Sequence, residues 1–112
     1  MQHRREINNI IIMEKVWIVL QESNVDGETI TNATPCADYK TAKSVMDEEI
    51  DTLLSSGKYE GLDLDEIEKD QDDDADYDFI LERDNMSFYL AFKYDDYYEY
   101  IKIEEKEIVK KV

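Results

Sequence analysis

The chain has 112 residues, and 29 Asp and Glu against 13 Lys and Arg give it a formal net charge of −16. That length accommodates one domain, and a single Cys with a single His excludes a disulfide framework and any zinc site built mainly from those residues. A pI near 4.2 opposes direct binding to nucleic acid or to an anionic membrane, both of which carry the same sign of charge. Leu, Ile, Val and Phe make up a quarter of the chain, above the roughly 20% below which a highly charged chain stays disordered.

Residues 1–12 read as a poorly ordered extension before a single domain over 13–112. Arg4 and Arg5 precede an apolar run at Ile10–Met13, but Asn8 and Asn9 interrupt it, Glu14 and Lys15 charge it, and no small-residue cleavage site follows. The segment therefore does not read as a leader, and the expected location is the cytoplasm. The alternative is that Ile10–Ile12 adds a stretch of strand. Val16–Leu20 is apolar, β-branched and aromatic, and too short for a helix; it suits a central strand buried on both faces or most of both. The Asn24–Gly27 turn leads to a second, Thr-rich strand at 29–34, which makes a hairpin.

Asp38 is placed to cap a helix over Tyr39–Ser55. Ala42, Val45, Met46, Ile50, Leu53 and Leu54 form one apolar stripe on it, and Gly57 follows its end. Residues 58–76 are the unusual segment. Between Glu60 and Asp78 eleven acids face the single Lys69, so an exposed acidic loop is expected. Within it, Leu62, Leu64 and Ile67 are spaced to anchor a short helix, with Asp63 and Glu66 as a capping box.

Three period-2 patterns follow, around Phe79 and Leu81, around Phe88, Leu90 and Phe92, and around Ile101 and Ile103, separated by Arg83–Asn85 and by Asp95 and Asp96. They predict an antiparallel meander. The fold class is α+β: a single antiparallel sheet, elements in the order β-β-α-β-β-β, with one amphipathic helix packed on one face. The residues Val16-Trp17-Ile18-Val19, Asp26-Gly27-Glu28, Asp38–Lys43 and Ile103–Ile108 resemble those of a loose group of short acidic proteins of bacteria and their phages and mobile elements. The resemblance covers residues 14–108 and implies this element order and a stand-alone intracellular protein. It carries no catalytic residues.

Enzymatic chemistry finds few parts. An EF-hand alignment from Asp72 puts Tyr77 at the required Gly and Arg83 at the required Glu. Glu104-Glu105-Lys106 matches a nuclease-like E-x-K, but so acidic a chain produces such triplets by chance and repels phosphates. His3 lies outside the domain as read, and Cys36 reads as a packed residue at a helix entrance. No catalytic residue, metal or cofactor is expected. Six of the eight tyrosines lie between Tyr77 and Tyr100, which suits either half-buried sheet faces or a protein-binding surface.

The expected function is that of a small acidic, non-enzymatic binding protein that occupies a basic, nucleic-acid-binding surface of a protein partner as a mimic of DNA. In size, charge and tyrosine content the chain resembles anti-CRISPR and anti-restriction inhibitors. The candidate contact residues are Glu66, Asp70, Asp72, Asp73, Asp74, Asp76, Asp95, Asp96, Tyr97, Tyr98 and Tyr100. Two alternatives remain open: an acidic domain whose charge serves solubility, and a small metal-dependent hydrolase.

Overall fold

The computed structural model describes residues 5–7, 10–72, 78–94 and 96–111. Six strands, β1 (Arg5–Ile7), β2 (Ile10–Val25), β3 (Glu28–Cys36), β4 (Phe79–Arg83), β5 (Ser87–Phe92) and β6 (Tyr98–Lys111), form one antiparallel sheet. Two helices, α1 (Tyr39–Ser55) and α2 (Leu64–Asp72), and a 3-10 turn at Gly57–Tyr59 lie between β3 and β4. The α+β class, the single sheet and the β-β-α-β-β-β order are as the periodicity predicts, with β1 added and α2 standing where Leu64, Ile67 and the Asp63 cap anchor a short helix.

β2 is the spine of the sheet. β6 pairs it from Ile10↔Lys111 to Asn24↔Tyr98. Its other edge carries β1 against Ile10–Ile12 and β3 against Trp17–Val25. β5 and β4 then extend the sheet beyond β6. Asp26 and Gly27 alone connect β2 to β3, at φ 56° and 83°. Such a two-residue turn with both φ positive matches the twist of the strands it joins, and Gly27 takes that conformation without steric cost.

Alternation sorts the sheet into two faces. Val19, Phe88, Leu90, Ile101 and Ile103 are buried beneath the helices together with Ala42 and Met46 of α1 and Ile67 of α2. The predicted apolar stripe of α1 is the one that packs, and its predicted cap forms: Asp38 Oδ1 accepts from the Thr41 amide at 2.7 Å. Among the described residues, no helix lies over the opposite face. Ile18 and Leu20 there are only half-buried, which corrects the expectation of a strand buried on both sides: the domain has one helical layer, so only one face of β2 is covered.

The acidic segment 58–76 departs from the expected loop chiefly beyond Lys69, where the short helix continues. The span 58–76 is not a loop up to residue 72, because α2 occupies Leu64–Asp72; residues 73–76 lie outside the described residues. Asp63 caps α2, its Oδ1 accepting from the Asp65 amide at 3.1 Å and the Glu66 amide at 3.2 Å. Beyond Lys69, Gln71 packs: its side-chain amide donates to the Leu81 carbonyl at 3.1 Å and accepts from the Leu81 amide at 2.7 Å. α2 thereby closes an edge of β4 that would otherwise be open to another strand.

Residues 1–12 are not wholly an extension either. Arg5–Ile7 and Ile10–Ile12 are strands, and Ile12 pairs with Val109. β6 runs past the predicted meander to Lys111, which gives Ile10–Ile12 a partner on that side. With β2 extending 16 residues, about 53 Å at 3.3 Å per residue, the molecule measures 56 × 28 × 24 Å. The ribbon of β1, residues 10–15 and residues 106–111 forms an arm holding five of the 13 basic residues and three of the 29 acidic ones. The acids are concentrated in the rest of the chain.

Candidate functional site

Three groupings of polar side chains stand out, and the first is the acidic flank of α2. Three turns of chain from Asp63 to Asp72 carry six acids and one lysine. Arg83, reaching out from β4, answers two of them, Asp65 at 2.7 Å and Glu68 at 2.8 Å. Its hydrogen bond holds the Glu68 carboxyl below the usual range. Glu66, exposed, and Asp70, half-buried, line a groove of about 360 Å³ with Asp63, Asp78 and Phe79. The structure thus gathers four carboxylates along one groove, of which Glu66 and Asp70 belong to the predicted set. Asp72 ends α2; Asp73, Asp74, Asp76 and Asp95 lie outside the described residues.

The second grouping is on the uncovered sheet face. Tyr89, Tyr98 and Tyr100 stand on neighbouring strands there, with ring centroids 6.0 Å apart for Tyr89–Tyr98 and 6.2 Å for Tyr89–Tyr100. The Tyr98 hydroxyl donates to Glu22 at 2.8 Å, and that hydrogen bond raises the phenol's pKa because the carboxylate favours the protonated donor. Lys102 reaches Glu104 at 2.7 Å, which holds the Glu104 carboxyl low. Tyr97 is one residue from Tyr98 but turns to the other side. Its hydroxyl bonds Asp26, and the Lys58 ammonium sits 3.9 Å from its ring centroid. Asp96 is exposed beside it. The predicted tyrosines therefore divide between two faces, and Tyr98 and Tyr100 do not share a surface with the acids of α2.

The third grouping lies inside the fold, and sequence reasoning missed it. Glu99 sits on the helix-covered face of β6, directly across from Ser23, and is only 5% exposed. The Ser23 hydroxyl donates to Glu99 Oε2, and Gln21 also bonds this carboxyl. Burial nevertheless pushes the Glu99 pKa up, since the low-dielectric surroundings disfavour its charge. Glu49 of α1 faces the same region. Its pKa is also raised, first by burial and then by the charge of Glu99. Glu49 Oε2 and the Tyr59 hydroxyl are buried without a hydrogen-bond partner. Tyr59 is 4% exposed; its phenol is pushed far up, by burial first and then by the charge of Glu99. The available signal was the parity of β6: with Ile101 and Ile103 inward, Glu99 is inward too.

Among the described residues, no three His, Cys, Asp or Glu side chains are arranged to hold a metal ion, and no helix is long and apolar enough to cross a membrane. In comparisons with known proteins, no family model, no curated protein and no solved structure matches the chain. The functional reading rests on the geometry of its own residues.

Proposed function

We propose that this protein is a non-enzymatic, cytoplasmic inhibitor of bacterial or phage-infected cells that occupies the basic, nucleic-acid-binding surface of a protein partner. The observation that carries the reading is the spacing of charge along α2. From Asp63 to Asp72 the net charge is −5, or −4 with the Arg83 that pairs Asp65 and Glu68, spread over about 15 Å at 1.5 Å per residue. One charge per about 4 Å is close to the density of a single DNA strand, about 3.4 Å per phosphate. A surface built to hold phosphates at that spacing accepts carboxylates presented the same way, and opposite charge accelerates the encounter. Because Gln71 and Ile67 tie α2 to the sheet, its acids are displayed on a fixed frame rather than on a free chain, which lowers the ordering cost of binding. The three tyrosines of the uncovered face supply a separate contact area of the kind that anchors protein interfaces.

The test is a competition. The partner is recovered from bacterial lysate on the immobilised protein at low salt and then challenged with short duplex DNA. Mutual displacement is expected. Binding of both ligands to the partner together, without weakening of either, overturns the reading and leaves the acidic surface as a solubility feature.

A further inference from the structure

We infer that the free edge of β3 docks a second copy of this chain, the two β3 strands pairing antiparallel to join two sheets into one. The acidic flank of α2 takes no part, since it lies at the opposite edge of the sheet. β3 pairs β2 from Val25↔Glu28 to Trp17↔Cys36 with no shift in register. Among the described residues, no strand pairs with its other side. The two-residue turn makes Val25 and Glu28 a bonded pair, so by antiparallel alternation Thr29, Thr31, Ala33 and Pro35 turn their backbone groups outward. The Ala33 amide has this phase: it donates to the Asn32 side chain at 3.0 Å instead of to β2. Natural sheets blunt such an edge with charge, proline, a bulge, a very short strand or a cover. β4, at the far edge, is covered through Gln71. β3 is nine residues long and unbulged, with only Pro35 near its end, and residues 29–37 are the longest stretch of the chain without an acid or a base.

The edge is self-complementary about Thr31. With Thr31 of one copy facing Thr31 of the other, Thr29 faces Ala33 on both sides, and the two members of each pair exchange both ladder bonds. Pro35, which has no N–H to give, then falls opposite Gly27, in the turn and beyond the ladder. Sliding the copies by one bonded pair brings Pro35 into the ladder or runs Ala33 onto the turn. Glu28 falls opposite Thr34, so no like charges meet across the seam. Ile30, at 61% the most exposed large aliphatic side chain among the described residues, becomes a diagonal neighbour of its own copy, within side-chain reach. Repulsion between two chains of −16 is limited by where α2 sits. It is tied to β4, and β2, β6 and β5 lie between β4 and β3. Four strand steps in each copy and one between them set the two β4 strands roughly 43 Å apart at about 4.8 Å per step, against a Debye length of about 8 Å. Pairing of one edge with its own copy is two-fold and closes at a dimer.

The test is sedimentation equilibrium of the full chain from micromolar to millimolar concentration at about 0.15 M salt. The mass should rise with concentration from 13.3 kDa towards twice that value, and added salt should strengthen the association. Amide exchange followed by NMR should slow at Thr29, Thr31 and Ala33 as the dimer forms, and change little at Ile30 and Asn32, which bond β2. Thr31→Pro removes an outward donor while sparing the bonds to β2, and should weaken association by about tenfold or more. Ile30→Glu, on an exposed side chain, is the second variant and should weaken it several-fold by setting like charges diagonally across the seam; a thermal melt establishes which variants are folded. A mass of 13.3 kDa at every concentration, a dimer whose three outward amides exchange as in the monomer, or folded variants that associate like wild type overturn the self-pairing. Slowed exchange at those amides on adding a protein partner, with the chain itself monomeric throughout, also overturns it and assigns the edge to a strand of that partner.

Discussion

Glu99 occupies a position where its neighbours on the same face, Ile101 and Ile103, are buried aliphatics. Its carboxyl and that of Glu49 both titrate above the ordinary range because burial penalises their charge. A carboxyl whose folded pKa exceeds its unfolded value stabilises the fold below the unfolded value, about 4.3 for Glu, and that contribution is lost as pH rises through the folded value. Stability should therefore fall as pH rises above the unfolded value, and Glu99→Gln should flatten that dependence and raise the urea midpoint on the alkaline side. A wild-type midpoint higher at pH 8 than at pH 5, or an unchanged slope in the variant, would contradict this. The opposite sign applies to Asp38, Asp84, Glu68 and Glu104, which hydrogen bonds hold below the ordinary range. Their contribution is lost only as pH falls through those lowered values, so the optimum lies at weakly acidic pH.

The elements differ in how directly their contacts can be checked. Gln71 is the link between α2 and the sheet, so Gln71→Ala leaves the Leu81 amide and carbonyl without their partner. At about 1–3 kcal/mol for unsatisfied buried groups, the variant should lose stability and its Leu81 amide should exchange faster; an unchanged Leu81 exchange rate would rule the latch out. Deleting residues 1–12 strips Ile10–Ile12 from their pairing with Val109–Lys111. A lower thermal midpoint and faster amide exchange at the end of β6 are expected, and an unchanged midpoint would restore the reading of a dispensable extension. Strand and helix identities were legible because they depend on local periodicity: the α1 stripe, the Asp38 and Asp63 caps and the Asp26-Gly27 turn all act within a few residues. The Ile12–Val109 pair and the Gln71–Leu81 bonds were not legible, since each depends on a partner that local pattern cannot identify. The buried carboxyl was legible only in part, because parity turns Glu99 inward but does not bring Glu49 over it.

For the whole molecule the excess of 16 negative charges acts through mutual repulsion, which compaction intensifies. Monovalent salt should raise the thermal midpoint, with most of the gain by roughly 0.15 M, where the Debye length is about 8 Å. A midpoint that falls with salt would show that attractive pairs such as Arg83 with Asp65 and Glu68 dominate instead. Association with a basic partner should slow steeply with ionic strength while dissociation changes less. Glu66→Gln with Asp70→Asn should reduce the association rate without lowering the thermal midpoint, as both acids line an open groove on α2 and their removal relieves repulsion. Stopped-flow rates for the double variant equal to wild type would remove that groove from the encounter.

The arm of the sheet adds a vector to this picture. Bases outnumber acids between the paired ends of β2 and β6, while the remainder of a 56 Å molecule is strongly acidic. Charge so divided along a long axis gives the molecule an electric dipole, and a positively charged surface exerts a torque on it as well as a pull. The acidic body would turn toward that surface before touching it, and the basic arm would trail on the far side. Collisions then begin nearer to the bound orientation than random tumbling would give.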